Sequence, residues 1–288
     1  MHVLICGAGG QVGRALSSSA PAGTIVQAVA HADLDLADGH AVSGYIQANR
    51  LDVVINAAAY TAVDRAESEP GLAARVNTGG ARNLALAVRE TGARLIHIST
   101  DFVFDGTASL PYRPESATNP LSVYGATKLG GEQSVLEILP LNSVVLRTAW
   151  IYAAEGSNFV RTMLRLMKTR GSVSVVADQI GTPTSARSLA GAIWELTARP
   201  QITGIHHWTD AGVASWYDFA VAIAEEAAQL GLVAADVPVL PIRTDEYPTP
   251  ARRPAYSVLD KRSLIELGLA PVHWRRSLRT ILREIANA

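Results

Sequence analysis

A phenol and an ammonium stand four residues apart at Tyr124-Gly-Ala-Thr-Lys128. In a helix, that spacing places both side chains on one face. A phenol with an ordinary pKa of about 10 exchanges protons poorly at neutral pH, and a lysine cation held beside it would favour the phenolate. The pair therefore reads as a tuned acid and base, although an ordinary exposed helix could carry the same two residues. Lysine is scarce in the chain, at Lys128, Lys168 and Lys261 only. Arginine, with its rigid fork, would not replace a compact ammonium. Upstream, Ser99-Thr100-Asp101 follows an apolar run and offers two hydroxyls and a carboxylate. A hydroxyl there could donate to a carbonyl oxygen, while helix capping or a turn is the alternative use of the same residue types.

These groups need a scaffold, and the N-terminus supplies its first signal. Met1 to Cys6 form a short apolar run that leads into Gly7-Ala-Gly-Gly10-Gln11-Val12-Gly13, a G-x-x-G-x-x-G spacing. Strand, glycine turn and helix start in that order let the backbone approach a pyrophosphate and meet its charge with free N–H groups. Further strand-length apolar runs recur at Thr24 to Val29, Val53 to Asn56, Leu95 to Ile98 and Val144 to Arg147, separated by Ala-rich, helix-length segments at 10–19, 40–49, 70–91 and 124–138. The alternation predicts an α/β, Rossmann-like, doubly wound parallel sheet covered on both faces. After about residue 150 the rhythm changes. Helices are expected at 158–168, 185–198 and 215–230, short strands near 173–176 and 204–208, then a proline-rich loop and a last helix at 274–286. We therefore expect a dinucleotide-binding domain over 1–150 and a smaller α/β domain over 151–288 that completes a cleft, with a soft boundary across which segments can exchange.

Ligands of such sheets bind beyond the carboxyl ends of the strands. There the third run gives Asn56-Ala-Ala58-Ala59-Tyr60, small enough for close backbone approach. Asp33-Leu-Asp35-Leu36 follows the second run and could meet an adenosine. At the strand end itself stands Val29-Ala30-His31, with neither the acid that favours NAD nor the arginine that favours NADP, so both NADH and NADPH stay open.

Composition removes several classes. Net charge is −1 with no Lys/Arg run, so the footprint of a nucleic-acid binder is missing. No apolar run approaches the roughly 20 residues of a membrane span. The fold is expected to begin at residue 2, which leaves no room for a signal peptide, and Cys6 is the only cysteine; a cytoplasmic protein without disulfides is expected. None of the seven histidines has metal-ligand spacing, so no metal is expected. No G-x-S-x-G nucleophile elbow occurs.

Together, Gly7-x-x-Gly10-x-x-Gly13, Asn56-Ala-Ala, Ser99-Thr-Asp101 and Tyr124-x-x-x-Lys128 resemble the extended short-chain dehydrogenase/reductase superfamily. Ser99-Thr-Asp-Phe-Val-Phe-Asp-Gly106, Arg147-Thr-Ala-Trp150, Asp178-Gln-Ile-Gly-Thr-Pro-Thr184, Trp216-Tyr-Asp-Phe219 and Tyr247-Pro-Thr-Pro-Ala-Arg-Arg-Pro254 are similar to the dTDP-4-dehydrorhamnose reductase family. The resemblance implies hydride transfer from NADPH or NADH to the C4 ketone of dTDP-4-dehydro-6-deoxy-L-mannose, a small-molecule nucleotide sugar. It makes Tyr124 the general acid, Lys128 its pKa partner and ribose ligand, and Thr100 the hydroxyl that tunes tyrosine and substrate. Asp101 and Trp150 match sugar-contacting positions. Gly7, Gly10, Gln11, Val12 and Gly13 match the pyrophosphate turn, Asp35 and Leu36 the adenosine contacts, and Ala58, Ala59 and Tyr60 the cofactor-facing strand end. Arg252 and Arg253, in the proline-rich loop, suit a diphosphate or simply the solvent. Some relatives place a glutamate early in the first helix for a magnesium-bridged dimer. This chain has Arg14-Ala15, so a homodimer remains open without that metal. Reduction of another 4-keto-deoxysugar nucleotide, a sugar epimerase and a non-catalytic regulatory subunit are the competing classes.

Overall fold

The computed structural model describes all 288 residues. Its centre is a six-stranded parallel sheet built from β1 (His2–Cys6), β2 (Ile25–Val29), β3 (Val53–Asn56), β4 (Arg94–Thr100), β5 (Ser143–Thr148) and, from the second half of the chain, Gly204–His207. Counting the intervening β6 (Val173–Val176), that last strand is β7, and the order across the sheet is β7-β5-β4-β3-β1-β2. The order reverses between β1 and β3. Crevices at such reversals are where α/β sheets bind ligands.

Strand residues alternate between two cores, as a period of two requires. Leu4, Cys6, Val54, Leu95 and Val145 pack under one layer of helices. Val3, Ile5, Val53, Ile55, Ile96, Val144 and Leu146 face the other. The first layer is α1's opposite: α2 (Gly39–Ala48) contributes Val42 and Ile46, and the long segment 70–91 contributes Leu84 and Val88. The second layer holds Leu16 of α1 (Gln11–Ser18) together with Leu189 and Ile193 of a helix at Ala186–Thr197. The edge strand β2 is only partly covered, unlike its neighbours.

The segment 70–91 is not the uniform helix its composition predicts. It runs as α3 (Pro70–Ala74), a π turn (Arg75–Gly79) and α4 (Gly80–Thr91). A π turn carries one extra residue per turn and leaves side chains in directions a regular helix cannot offer. It is followed by α5 (Val123–Ile138), which carries Tyr124 and Lys128.

Beyond β5 the chain builds a second body from α6 (Phe159–Thr169), α8 (Trp216–Gln229), α9 (Trp274–Ala286) and the parallel pair β6 with β8 (Val239–Ile242). Its core centres on Tyr152, Met163, Phe219, Ile223 and Leu278. The helix Ala186–Thr197, α7 in this count, and β7 leave this body and complete the first. The Trp194 indole donates to the Leu16 carbonyl of α1 at 3.2 Å. The buried Arg94 of β4 donates to the Leu196 and Ile202 carbonyls on either side of the α7–β7 turn.

Candidate active site

A cleft of about 840 Å³ runs along the carboxyl ends of the strands, from the glycine turn to the start of α5. Its first wall is the β1–α1 turn. Gly7 has φ of 85° and Gly13 approaches it so closely that a Cβ on Gly13 would lie 2.2 Å from the Gly7 carbonyl oxygen. Only glycine permits that crossing. Gly13 therefore shapes the turn from behind and does not line the cleft, whereas Gly7, Gly10, Gln11 and Val12 do. The first turn of α1 has neither a side-chain cap nor an acidic residue, and the N–H groups of Gln11, Val12 and Gly13 take no acceptor within the chain. Unsatisfied helix N–H groups aimed at a crevice suit a pyrophosphate.

Farther along lie Leu36, buried, and Asp35, exposed, with Ala58, Ala59 and Tyr60 opposite. Asn77 holds this last segment in place. The π turn directs its buried amide so that Oδ1 accepts from the Tyr60 N–H at 2.8 Å, while Nδ2 donates to the Tyr60 carbonyl at 3.2 Å and to Thr127 Oγ1 at 3.0 Å. One side chain thus joins the loop after β3 to the helix bearing Tyr124. Leu72, Arg75 and Val76 of the same segment also line the cleft. A regular helix read over 70–91 gives no reason for these side chains to matter, and the π turn is not visible in composition.

The far end gathers Thr100, Asp101, Tyr124 and Lys128. Ser122 caps α5 by accepting from the Gly125 N–H at 3.2 Å, and Glu67 accepts from the Val123 N–H at 2.9 Å. The Phe102 ring meets the Tyr124 ring edge to face, with centroids 5.5 Å apart. Thr100 serves both of its expected uses: its hydroxyl oxygen accepts from the Phe102 N–H at 3.2 Å and it faces the cleft. It also donates to Asp101 Oδ1 at 3.1 Å.

The electrostatics differ from the simple lysine-lowers-tyrosine expectation. Burial pushes the Tyr124 phenol up to about 12; the Thr100 hydroxyl pulls against this and the Asp101 carboxylate adds to it. Lys128 does not offset the effect. Its Nζ donates instead to the Ile98 carbonyl at 2.6 Å, and burial brings its own pKa down to about 8, with Glu132 opposing. At neutral pH the site therefore holds a protonated phenol and a lysine that is still cationic. Burial also lifts Asp101 to about 6 against the Ser257 and Thr100 hydroxyls, and its Oδ2 is buried without a well-formed hydrogen bond. Cys6, at the floor, is inert: burial pushes its thiol up to about 12.

Besides Gly13, three expected ligand-binding residues do not line this cleft. Trp150 has φ of 49°, the only non-glycine residue in the left-handed region, and its ring stacks on Trp216 at 3.5 Å and 6°. It thus stands where the two bodies meet. Arg253, read as a phosphate ligand, is instead committed within the chain: its guanidinium forms a two-point ion pair with Asp64, at 3.0 and 2.8 Å, and donates to Thr249 Oγ1 at 2.6 Å. An arginine fork matches a carboxylate as well as it matches a phosphate, and the proline-rich loop brings a carboxylate within reach first. Arg252 is exposed.

With this geometry in hand, comparison with known proteins is decisive. A family profile described as RmlD substrate binding domain matches residues 1–287. The dTDP-4-dehydrorhamnose reductase of Salmonella typhimurium is 39% identical, over 99% of this chain and 98% of that one. The chain belongs to the dTDP-4-dehydrorhamnose reductase family. The spore coat polysaccharide biosynthesis protein SpsK of Bacillus subtilis is 41% identical, over 99% of this chain and 98% of its own. A crystal structure of a dTDP-4-dehydrorhamnose reductase of Bacillus anthracis in complex with NADP superposes with a TM-score of 0.92 at 37% identity, covering 98% of this chain and 99% of that one. No helix here is long and apolar enough to cross a membrane.

Proposed function

We propose that this chain reduces the C4 ketone of dTDP-4-dehydro-6-deoxy-L-mannose to the alcohol of dTDP-L-rhamnose, using NADPH or NADH. The observation that carries the reading is the convergence of Tyr124, Lys128, Thr100 and Asp101 on the cleft that begins at the unsatisfied N–H groups of α1. Family membership and the NADP complex of a close structural relative support it.

When bound, the reduced coenzyme supplies a hydride to the ketone carbon. The chain supplies the rest. Tyr124, protonated at neutral pH, gives its proton to the C4 oxygen, and the Thr100 hydroxyl, turning its single proton from Asp101 Oδ1, donates to the same oxygen and orients it. Lys128, whose four-residue offset keeps it on the same helical face, stabilises the phenolate left behind only when its Nζ turns from the Ile98 carbonyl that holds it in the free chain. Positioned proton transfer of this kind contributes about 10² to 10⁴ in rate. Asp101 and Trp150 hold the sugar. Arg252, which has no ion-pair partner, is the arginine of the tail left free for the diphosphate, while Arg253 holds the loop that presents it.

In this reading residues 1–150 hold the coenzyme and residues 151–288 hold most of the nucleotide sugar, with α7 and β7 lent back to the first body. We place this reaction in the cytoplasm, and it needs neither a nucleic acid nor a membrane. The test is direct. The 4-keto-L-sugar nucleotide is generated in situ, the protein is added with NADH or with NADPH, coenzyme oxidation is followed, and the product is identified by NMR. Stoichiometric oxidation with formation of dTDP-L-rhamnose is the expected result. Isomerisation without net coenzyme consumption would instead mark an epimerase.

A further inference from the structure

Beneath the cleft lies a charged pair that the reaction described above does not use. Glu132 is four residues beyond Lys128 on the same face of α5, and it is 1% exposed. Its carboxylate receives the guanidinium of Arg147, itself 2% exposed, through Nε at 2.9 Å and Nη2 at 2.7 Å, and also the Ser99 hydroxyl. Arg147 in turn lies over the Phe104 ring and donates to the Pro114 carbonyl at 3.2 Å. The three elements joined at Glu132 are those that end in site residues. Ser99 precedes Thr100 on β4, Arg147 precedes Thr148 at the end of β5, and Lys128 shares its helix.

We infer that Glu132 is the positioning residue that keeps Lys128 charged in the buried site and fixes the pH above which the enzyme fails. A buried ammonium with only a carbonyl for a partner tends to lose its proton. The other groups around Lys128 do not oppose that tendency. Tyr124, from its own helix, is neutral at working pH. His97, from β4, is fully enclosed; its Nδ1 sits 3.0 Å from Asn56 Nδ2, its Nε2 is unpartnered, and burial together with the Lys128 charge holds it neutral. Asp101 follows β4, and Arg147, from β5, is held by Glu132 in a two-point pair. Glu132 is the carboxylate on the lysine's own face, and it opposes the loss of the proton. Ser99 and Arg147 keep that carboxylate aimed.

The inference rests on the proposed role of Lys128, but its main test needs no substrate. With only three lysines in the chain, ¹³C-lysine labelling gives three sets of side-chain signals, and Lys128 is assigned by its loss in Lys128→Met. In Glu132→Gln, which keeps the shape and still accepts from Arg147, the Lys128 titration should move down by roughly one pH unit or more. The basic limb of kcat/KM should move with it, while turnover at slightly acid pH is retained. Ser99→Ala, which removes a hydrogen bond but no charge, should lower Tm and leave the Lys128 titration in place. If Glu132→Gln does not fold, Glu132→Asp withdraws the charge by one methylene and should give a smaller shift of the same sign. A Lys128 titration that stays at its wild-type position in whichever folded variant is obtained overturns the inference and leaves Glu132 a structural ion pair. Failure of the proposed reaction would appear separately, as absence of coenzyme oxidation by the wild-type protein.

Discussion

Tyr124 keeps its proton because burial outweighs the Thr100 hydroxyl that favours the phenolate, so the proton to be transferred is in place at neutral pH. Tyr124→Phe should therefore lower kcat by about 10² to 10⁴ while leaving the coenzyme Kd, measured by fluorescence titration, unchanged. Asp101 poses the opposite balance. Its folded pKa is raised to about 6, above the ordinary value near 4, so the folded state binds its proton more tightly than the unfolded chain does. The resulting penalty is fully present above pH of about 6 and disappears once pH falls below about 4. Asp101→Asn should consequently stabilise the protein at neutral pH, on the order of 1 kcal/mol or more, and the gain should vanish in melts run below about pH 4. The same substitution should raise the KM for the nucleotide sugar. Stability gained with function lost is the signature of a strained functional group.

At the scale of elements, the start of α5 is docked as tightly as a main chain allows. A Cβ on Gly125 would fall 2.2 Å from the Phe102 carbonyl oxygen. Gly125→Ala must push the first turn of α5 away from the Thr100–Phe102 turn, moving Tyr124 next door. We expect a loss of about 1–3 kcal/mol in chemical denaturation and at least about a tenfold loss of kcat, since displacements near 1 Å are costly for positioned groups. Gly44 is the control. It lies exposed in α2 with nothing within 4 Å of an added Cβ, so Gly44→Ala should stabilise by about 0.5–1 kcal/mol without touching activity. The helices themselves were legible from their apolar spacing and Ala-rich composition. The π turn was not, because its cause is the fit of Asn77 between Tyr60 and Thr127, two partners 17 and 50 residues away in the chain.

At the scale of the molecule, the pair Asp64–Arg253 is one of the contacts that join the two bodies. Asp64 also accepts from the Ala251 N–H at 3.2 Å, so a single carboxylate fastens the whole proline-rich loop to the coenzyme-facing side. Both side chains are partly exposed, so the pair contributes little to global stability, about 0–1 kcal/mol. Its value is in placing the loop. Asp64→Asn should leave Tm nearly unchanged and the coenzyme Kd intact, while raising the KM for the nucleotide sugar several-fold as the loop bearing Arg252 loosens.

The sequence by itself determined the parallel sheet, the glycine turn after β1 and the phenol–ammonium pair. Each of these is a local pattern: an apolar run of strand length, glycines where a backbone must cross, two side chains on one helical face. What only the tertiary structure decided depends on groups far apart in the chain. Burial, rather than Lys128, sets the phenol's proton affinity. Asp64 claims Arg253 before any phosphate can. Residues 186–207 fold into the first body, since one edge of its sheet and one face of its core would otherwise stay uncovered. Desolvation and ion pairing depend on the complete three-dimensional surroundings of a group, and spacing along the chain carries no measure of them.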